Sequence, residues 1–238
     1  MATYYIPRDF AGGNIPANEG DIFIVESTAA GNITFQSASG SPVHFSIQFN
    51  NSNSNTLNIK FSSNLTPSIT IADAVSLPST NIDASGTDAI DLTIGDGVTI
   101  NEYKGSNNQD TIQIGDNFTS ANDFKTGSGD DFVRVGKNAN VPRFDMQSGD
   151  DTIVSEDPTI VTTNAEHVFT PDGIVEGTNG ADVMGAGYTD ADYDEVVFDL
   201  LNVSPPIGSK IRKLSSAGKT WKYNKDIVSE MGFSLDNP

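Results

Sequence analysis

Aspartates that follow a glycine turn and lead into a strand recur along this chain at a nearly fixed interval. Aligned on one position, ASGTDAIDLTIGDG, GSNNQDTIQIGDN, GSGDDFVRVGKN and QSGDDTIVSED place Asp88, Asp110, Asp131 and Asp151 in register, at intervals of 22, 21 and 20. A further copy, GTNGADVMGAG, brings Asp182 to the same place after a longer interval. A carboxylate beside a turn that glycine makes flexible is chemistry for a hard cation. Ca2+ takes six to eight oxygen ligands, and many of them can be peptide carbonyls aimed inward. In GSGDD, Gly127 and Gly129 permit positive φ while Asp130 and Asp131 lead into the strand; Gly149, Asp150 and Asp151 repeat the arrangement one interval later. When such repeats stack, the carboxylates of neighbouring coils approach closely, which is repulsive alone and becomes a shared site with a cation between them. Plain Asx and glycine turns, common in β proteins, are the competing reading, and the repeated register weighs against them.

Two strands fit in each interval. Each repeat reads as a Gly/Asp turn, a short alternating strand, a second glycine turn and a second strand, with Ile112 and Ile114, or Val133 and Val135, facing inward. The second turns are periodic too, at Gly95-Asp96-Gly97, Gly115-Asp116-Asn117 and Gly136-Lys137-Asn138. One repeat is one coil, and a coil that cannot bury its apolar face alone must stack on its neighbours at about 4.8 Å. The expected fold is therefore all-β: a parallel, β-roll-like β-solenoid with 20–22 residues and two strands per coil. It is expected to span residues 51–199, with calcium-binding repeats from about residue 86. Residues 1–50, with strands at Ile22 to Val25, Ile33 to Gln36 and Val43 to Phe49, read as an N-terminal β cap or small β domain. Residues 200–238 read as a basic tail or cap, and the long interval before Asp182 as a loop inserted near Asn164 to Pro171.

The repeats GSNNQDTIQ, TGSGDDFVR, MQSGDDTIV and GTNGADVMG, with DASGTDAID the outermost, resemble the RTX or haemolysin-type calcium-binding nonapeptide G-G-x-G-x-D-x-U-x, in which U is a large apolar residue. The resemblance covers residues 83–195, roughly half the chain. In that family, aspartate side chains and turn carbonyls hold calcium between coils. The resemblance thus implies ligands at Asp110, Asp131, Asp151 and Asp182, with Gly127, Gly129, Gly149 and Gly180 in the turns. Asp88, Gly105, Asn107, Asp130, Asp150, Gly177 and Asn179 complete the candidate set from the same strings. The motif recurs here every 20–22 residues rather than every nine, and the opposite turn carries Lys137, so a single metal-lined edge is expected. The family's first glycine is Thr126 and Met146 in two of the repeats. The run Asp190-Ala-Asp192-Tyr-Asp194-Glu195 resembles the start of an EF-hand loop, but Glu195 stands where that loop needs Gly and Leu201 where it needs Glu; Asp190, Asp192 and Asp194 remain candidates for one more calcium. The string DGIVEGTNGADVMGAGYTDAD is similar to segments of large proteobacterial secreted repeat proteins, some of which carry a self-splicing domain whose nucleophilic cysteine is missing here.

Charge and composition narrow the function. The chain holds 32 acids and 13 bases, and residues 86–199 alone hold 23 of those acids and 5 of the bases. Such a block repels nucleic acid and anionic membranes. No cysteine is present, which excludes disulfides and thiolate metal sites. No span approaches about 20 apolar residues, so no membrane span is expected, and MATYYIPRDFAGGN lacks the form of a cleavable secretory signal. With His44 and His167 as the two imidazoles, neither in a recognisable motif, no enzyme is expected. Arg134, Arg143 and Tyr103 are weighed as a sugar-binding patch but read more simply as ordinary surface positions.

The sequence thus points to a secreted, calcium-binding structural protein of a cell or particle surface: an adhesin, a surface-layer element or a fibre subunit. Export by a type I system reading residues 210–238 is expected, as are self-assembly into a homo-oligomer and contact with polysaccharide or other cell-surface material. A virion or capsid-decoration protein and a polysaccharide-modifying solenoid enzyme are the alternatives.

Overall fold

The computed structural model describes residues 1–7, 10, 12–171, 214–216 and 219–221. The chain divides into two units, Met1–Thr170 and Pro171–Pro238. In the second, the described residues form one antiparallel pair, Leu214–Ser216 with Lys219–Trp221.

The first unit is a parallel β-solenoid of about eight coils, and no helix occurs among the described residues. Its strands in chain order are β1 (Thr3–Ile6), β2 (Gly12–Ala17), β3 (Ile22–Val25), β4 (Gly31–Ser37), β5 (Val43–Phe49), β6 (Leu57–Phe61), β7 (Leu65–Ile71), β8 (Ser76–Asp83) and β9 (Asp91–Ile94). They continue as β10 (Thr99–Lys104), β11 (Thr111–Ile114), β12 (Thr119–Ser120), β13 (Phe124–Lys125), β14 (Phe132–Val135), β15 (Phe144–Asp145), β16 (Thr152–Ser155), β17 (Thr162–Thr163) and β18 (His167–Phe169). One sheet runs β1-β3-β5-β7-β9-β11-β14-β16-β18 and the other β17-β15-β13-β10-β8-β6-β4-β2, with β12 beside β10. Each coil contributes one strand to each sheet, except that the coil of β11 adds both β12 and β13 to the second.

Alternation fills the space between the sheets. Ile112, Ile114, Val133 and Val135 face inward at 2% exposure or less, as the period-two pattern requires. At the N-terminal end the interior is aromatic: Phe23, Phe35, Phe45 and Phe61 pack with ring centroids 5.0 to 6.3 Å apart. A second stack, Tyr103, Phe124 and Phe144, runs through the coils that carry the aspartates.

The solenoid begins earlier than the acidic repeats. Strands β1, β3 and β5 are continuous with the later coils: β1 pairs with β3, β3 with β5, and β5 with β7 from Val43↔Leu65 to Phe49↔Ile71, in the sheet that goes on to carry the repeats. Coil length changes along the stack. The register steps Ile22↔Ser46, Ser46↔Ser68 and Ser68↔Asp91 have lengths of 24, 22 and 23, whereas Asp91↔Thr111, Thr111↔Phe132 and Phe132↔Thr152 have lengths of 20, 21 and 20. The stretch expected as an inserted loop instead contributes a strand: Thr152 pairs with His167, closing a coil shorter than any before it.

Candidate functional site

The strand register, not the aspartate spacing, decides which acids share a row. Asp91 pairs with Thr111, so Asp110 lies over Ile90 and Asp88 falls short of the row. The Asp88 N–H accordingly goes to the Leu65 carbonyl in the preceding coil. Aligning the second turns, Gly95-Asp96 on Gly115-Asp116, gives the shorter interval and would have placed Ile90 correctly.

Asp110, Asp131 and Asp151 do form a continuous inner row, each at 1% exposure or less. The Oδ1 atoms accept backbone hydrogen bonds across the coils: from Ile90 to Asp110 at 2.9 Å, from Asp110 to Asp131 at 2.8 Å and from Asp131 to Asp151 at 2.8 Å. Glu166 ends the row, its Oε2 accepting from the Asp151 N–H at 2.9 Å. Glu166 was not legible as a row member because the shortened coil breaks the interval.

The three aspartates differ in what their second oxygen meets. In the Asp110 coil, Ser106 closes the carboxylate: its N–H donates to Oδ2 at 2.8 Å and its hydroxyl to Oδ1 at 2.5 Å. The equivalent position one coil on is Gly127, without a hydroxyl, and the Oδ2 atoms of Asp131 and Asp151 are buried with no hydrogen-bond partner. Leaving a buried carboxylate oxygen unpaired costs on the order of 1–3 kcal/mol or more, which a proton or a cation can relieve.

Electrostatics follow the same gradation. Burial pushes Asp110 up to about 6, against hydrogen bonds from Ser106 and Ile90 that hold it down. Burial pushes Asp131 up to about 7; the Asp110 N–H opposes this and the charges of Asp110 and Asp151 add to it, while the nearby Thr126 hydroxyl is committed to the Met146 carbonyl at 2.9 Å. Asp151 is raised by burial and by the neighbouring Glu166, Asp130 and Asp150. The Tyr103 phenol, buried and without a hydrogen-bond partner, is raised well above its usual value by burial and by the charges of Asp110 and Asp131.

The turns are tight enough to demand glycine. A side-chain carbon at Gly105 would meet the Thr126 carbonyl oxygen of the next coil, and one at Gly127, where φ is +111°, would meet the Ser106 carbonyl oxygen. Turn carbonyls are thus stacked against the neighbouring backbone, and part of their capacity is already used: Ser128 donates to Ser106 O, Gly129 to Ser148 O and Ser148 to Gly127 O.

Other candidates lie apart from the buried row. Asp130 and Asp150 form an exposed outer pair, the Asp150 N–H donating to Asp130 Oδ1 at 2.9 Å, and His167 Nε2 lies 2.9 Å from Asp150 Oδ1. Asn107 reaches backward, its amide donating to the Ser85 carbonyl. Gly177, Asn179, Gly180, Asp182, Asp190, Asp192 and Asp194 lie outside the described residues.

Two further rows were not anticipated. On the opposite corner, Asp73, Asp96 and Asp116 pass a hydrogen bond from coil to coil, each Oδ1 accepting from the residue one coil on, and Lys137 N–H ends the series at Asp116. Along the second sheet, amide groups of Asn32, Asn58, Asn81, Asn101 and Asn122 chain together at 2.6 to 3.3 Å. The weighed sugar patch does not assemble: Tyr103 is fully buried, Arg134 lies on β14 beside Glu156, and Arg143 precedes β15 on the other sheet and pairs with Asp123.

The unpartnered Oδ2 atoms of Asp131 and Asp151 and the turn carbonyls are hard oxygens, the donor type that Ca2+ takes. Among the described residues no three His, Cys, Asp or Glu side chains gather as a metal-binding group. A cation held here would use one or two carboxylates, because the row places one per coil. No family model, curated protein or solved structure matches the chain.

Proposed function

We propose that this chain is a calcium-stabilised structural solenoid of an extracellular surface or matrix, in which Asp131 and Asp151 hold the cation between successive coils. The observation that carries the reading is the pair of buried, unpartnered Oδ2 atoms in glycine turns whose backbones touch. Ca2+ would neutralise two carboxylates whose charged forms burial and neighbouring acids disfavour. Asp110, already closed by Ser106, serves as the metal-free end of the row.

A solenoid held this way is a rigid rod with repeating faces, suited to spacing or adhesion outside a cell, where calcium is abundant. Among the described residues no helix is long and apolar enough to cross a membrane. Secretion through residues 210–238 and assembly into larger structures belong to the same reading.

A calcium titration of chelator-treated protein, followed by circular dichroism and thermal melting, tests it. Sites tuned to extracellular levels have dissociation constants on the order of 0.1–1 mM, and the melting temperature should climb through that range. A melting curve indifferent both to calcium and to chelator, with no metal found by elemental analysis, would leave the row as a proton-sharing structural feature.

A further inference from the structure

The outward face of the second sheet carries a row of charges that alternates in sign except at one step. By strand register the row runs Lys60, Asp83, Lys104, Lys125, Asp145. Lys104 and Lys125 stand on directly paired positions of adjacent coils, about 4.8 Å apart along the stack. Like charges directly opposite destabilise a sheet, and this is the one step of the row where they meet.

The surrounding acids are already engaged. Lys60 lies 3.9 Å from Asp83, whose other oxygen takes the Ser85 N–H and hydroxyl. Asp145 accepts from Thr163 and Asn164 and lies 3.9 Å from Arg143. Lys104 has Glu102 at 3.3 Å, and Lys125 has no ion-pair partner among the described residues. In a chain with 32 acids and 13 bases, an ammonium left free beside another ammonium is a signal for a ligand.

The two lysines also wall a depression of about 270 Å3 that spans four coils, with Ser85, Asn107, Ser128 and Gln147 around it. Lys104 is shared with a second depression of about 190 Å3 on the same sheet. The lining offers two cations, hydroxyls and amides, and no aromatic ring. Base stacking has nothing to use there, and a polyphosphate, which offers only acceptors, would leave the amide and hydroxyl acceptors of the lining without donors. Hydroxyls interspersed with carboxylates along a linear chain match it.

We infer that this groove binds a segment of an acidic polysaccharide laid along the solenoid axis, with Lys104 and Lys125 pairing its carboxylates and Ser85, Asn107, Ser128 and Gln147 meeting its hydroxyls. The inference deepens the reading of the chain as a surface protein. It does not depend on the cation at Asp131 and Asp151, since ammonium groups bind the sugar directly.

Calorimetry with hexagalacturonate as the probe, on the full chain with calcium present, tests it. Binding should weaken with added salt, and a neutral glucose hexamer should give no heat. Lys104→Gln with Lys125→Gln should raise the dissociation constant by about tenfold or more, while Lys60→Gln, whose partner is Asp83, leaves it unchanged. Circular dichroism of the double variant should superimpose on that of the parent, since neither lysine fills the core. Lys125→Glu alone should abolish binding. No binding by the parent, equal binding by the double variant, or stronger competition by polyglutamate or RNA than by polygalacturonate would overturn the inference. So would binding that is lost in chelator yet indifferent to both lysines, because that is a calcium bridge to the acidic edge. Lysine-dependent binding in a protein that ignores calcium would uphold the groove and sink the proposed function separately.

Discussion

The coils of residues 22–83 and those of residues 105–155 stack in the same two sheets, but they are held by different means. The first set has the longer coils and strands, packs four phenylalanines inside and carries amide-to-amide bonds from Asn32 to Asn81 outside. The second set has the shorter coils and strands and buries a carboxylate in each coil. The second set also packs Tyr103, Phe124 and Phe144 inside, and it adds to them the aspartate row that joins neighbouring coils. An amide chain is neutral at every pH. A carboxylate row is sound only when its charge is neutralised, so stability in the second set is conditional where stability in the first is not.

The largest effect should come from filling a turn of the conditional set. Gly127→Val places branched carbon against the Ser106 carbonyl at a left-handed φ and should cost about 3 kcal/mol or more. Gly40 of the first set has φ +74° but open space around it, so Gly40→Ala should cost only about 1 kcal/mol. Urea unfolding of both variants measures the contrast; equal costs would mean the stacked turns are not tight.

Next in size is the pH response. Asp131 is raised in the fold to about 7 from an ordinary value near 4, so its contribution to stability is fully present below the unfolded value and is lost as pH rises through about 7. Chelated protein should therefore melt lower at pH 8 than at pH 5, by up to about 1.4 kcal/mol per pH unit for one fully linked proton. Asp131→Asn keeps the acceptor for the Asp110 N–H and removes the charge. It should flatten that profile and blunt the response to calcium. With calcium bound to the parent, melting should instead rise over the same window as protons cease to compete.

The smallest effect is expected in the amide row. Asn81→Ala breaks bonds to Asn58 and Asn101 on a partly exposed face and should cost about 1 kcal/mol, equally in calcium and in chelator. A calcium-dependent cost would mean that the two sets are not independently held.

Much of the fold was legible because alternation and turn spacing are local signals. Ile112, Ile114, Val133 and Val135 could face only inward, and the glycine pairs marked the corners. The misplacement of Asp88 came from aligning on an acid instead of on the turn that fixes register. The amide row escaped notice because the intervals between its members are uneven, following coil lengths that change along the stack. The candidate metal site was half legible. That Asp110, Asp131 and Asp151 share a row could be read from spacing, though Asp88 could not be excluded from it, and the closure of Asp110 by Ser106 and the openness of Asp131 and Asp151 depend on what the neighbouring coil places beside each oxygen. The pairing of Lys104 with Lys125 is visible in the sequence only once the strand register is known.

Hydrogen exchange read by mass spectrometry, at pH 8 in calcium and in excess chelator, tests the central claim most directly. The account predicts that chelation strips protection from residues 105–155, while residues 22–83 keep theirs. Equal protection of both regions in the two conditions, or loss of both together, would contradict it.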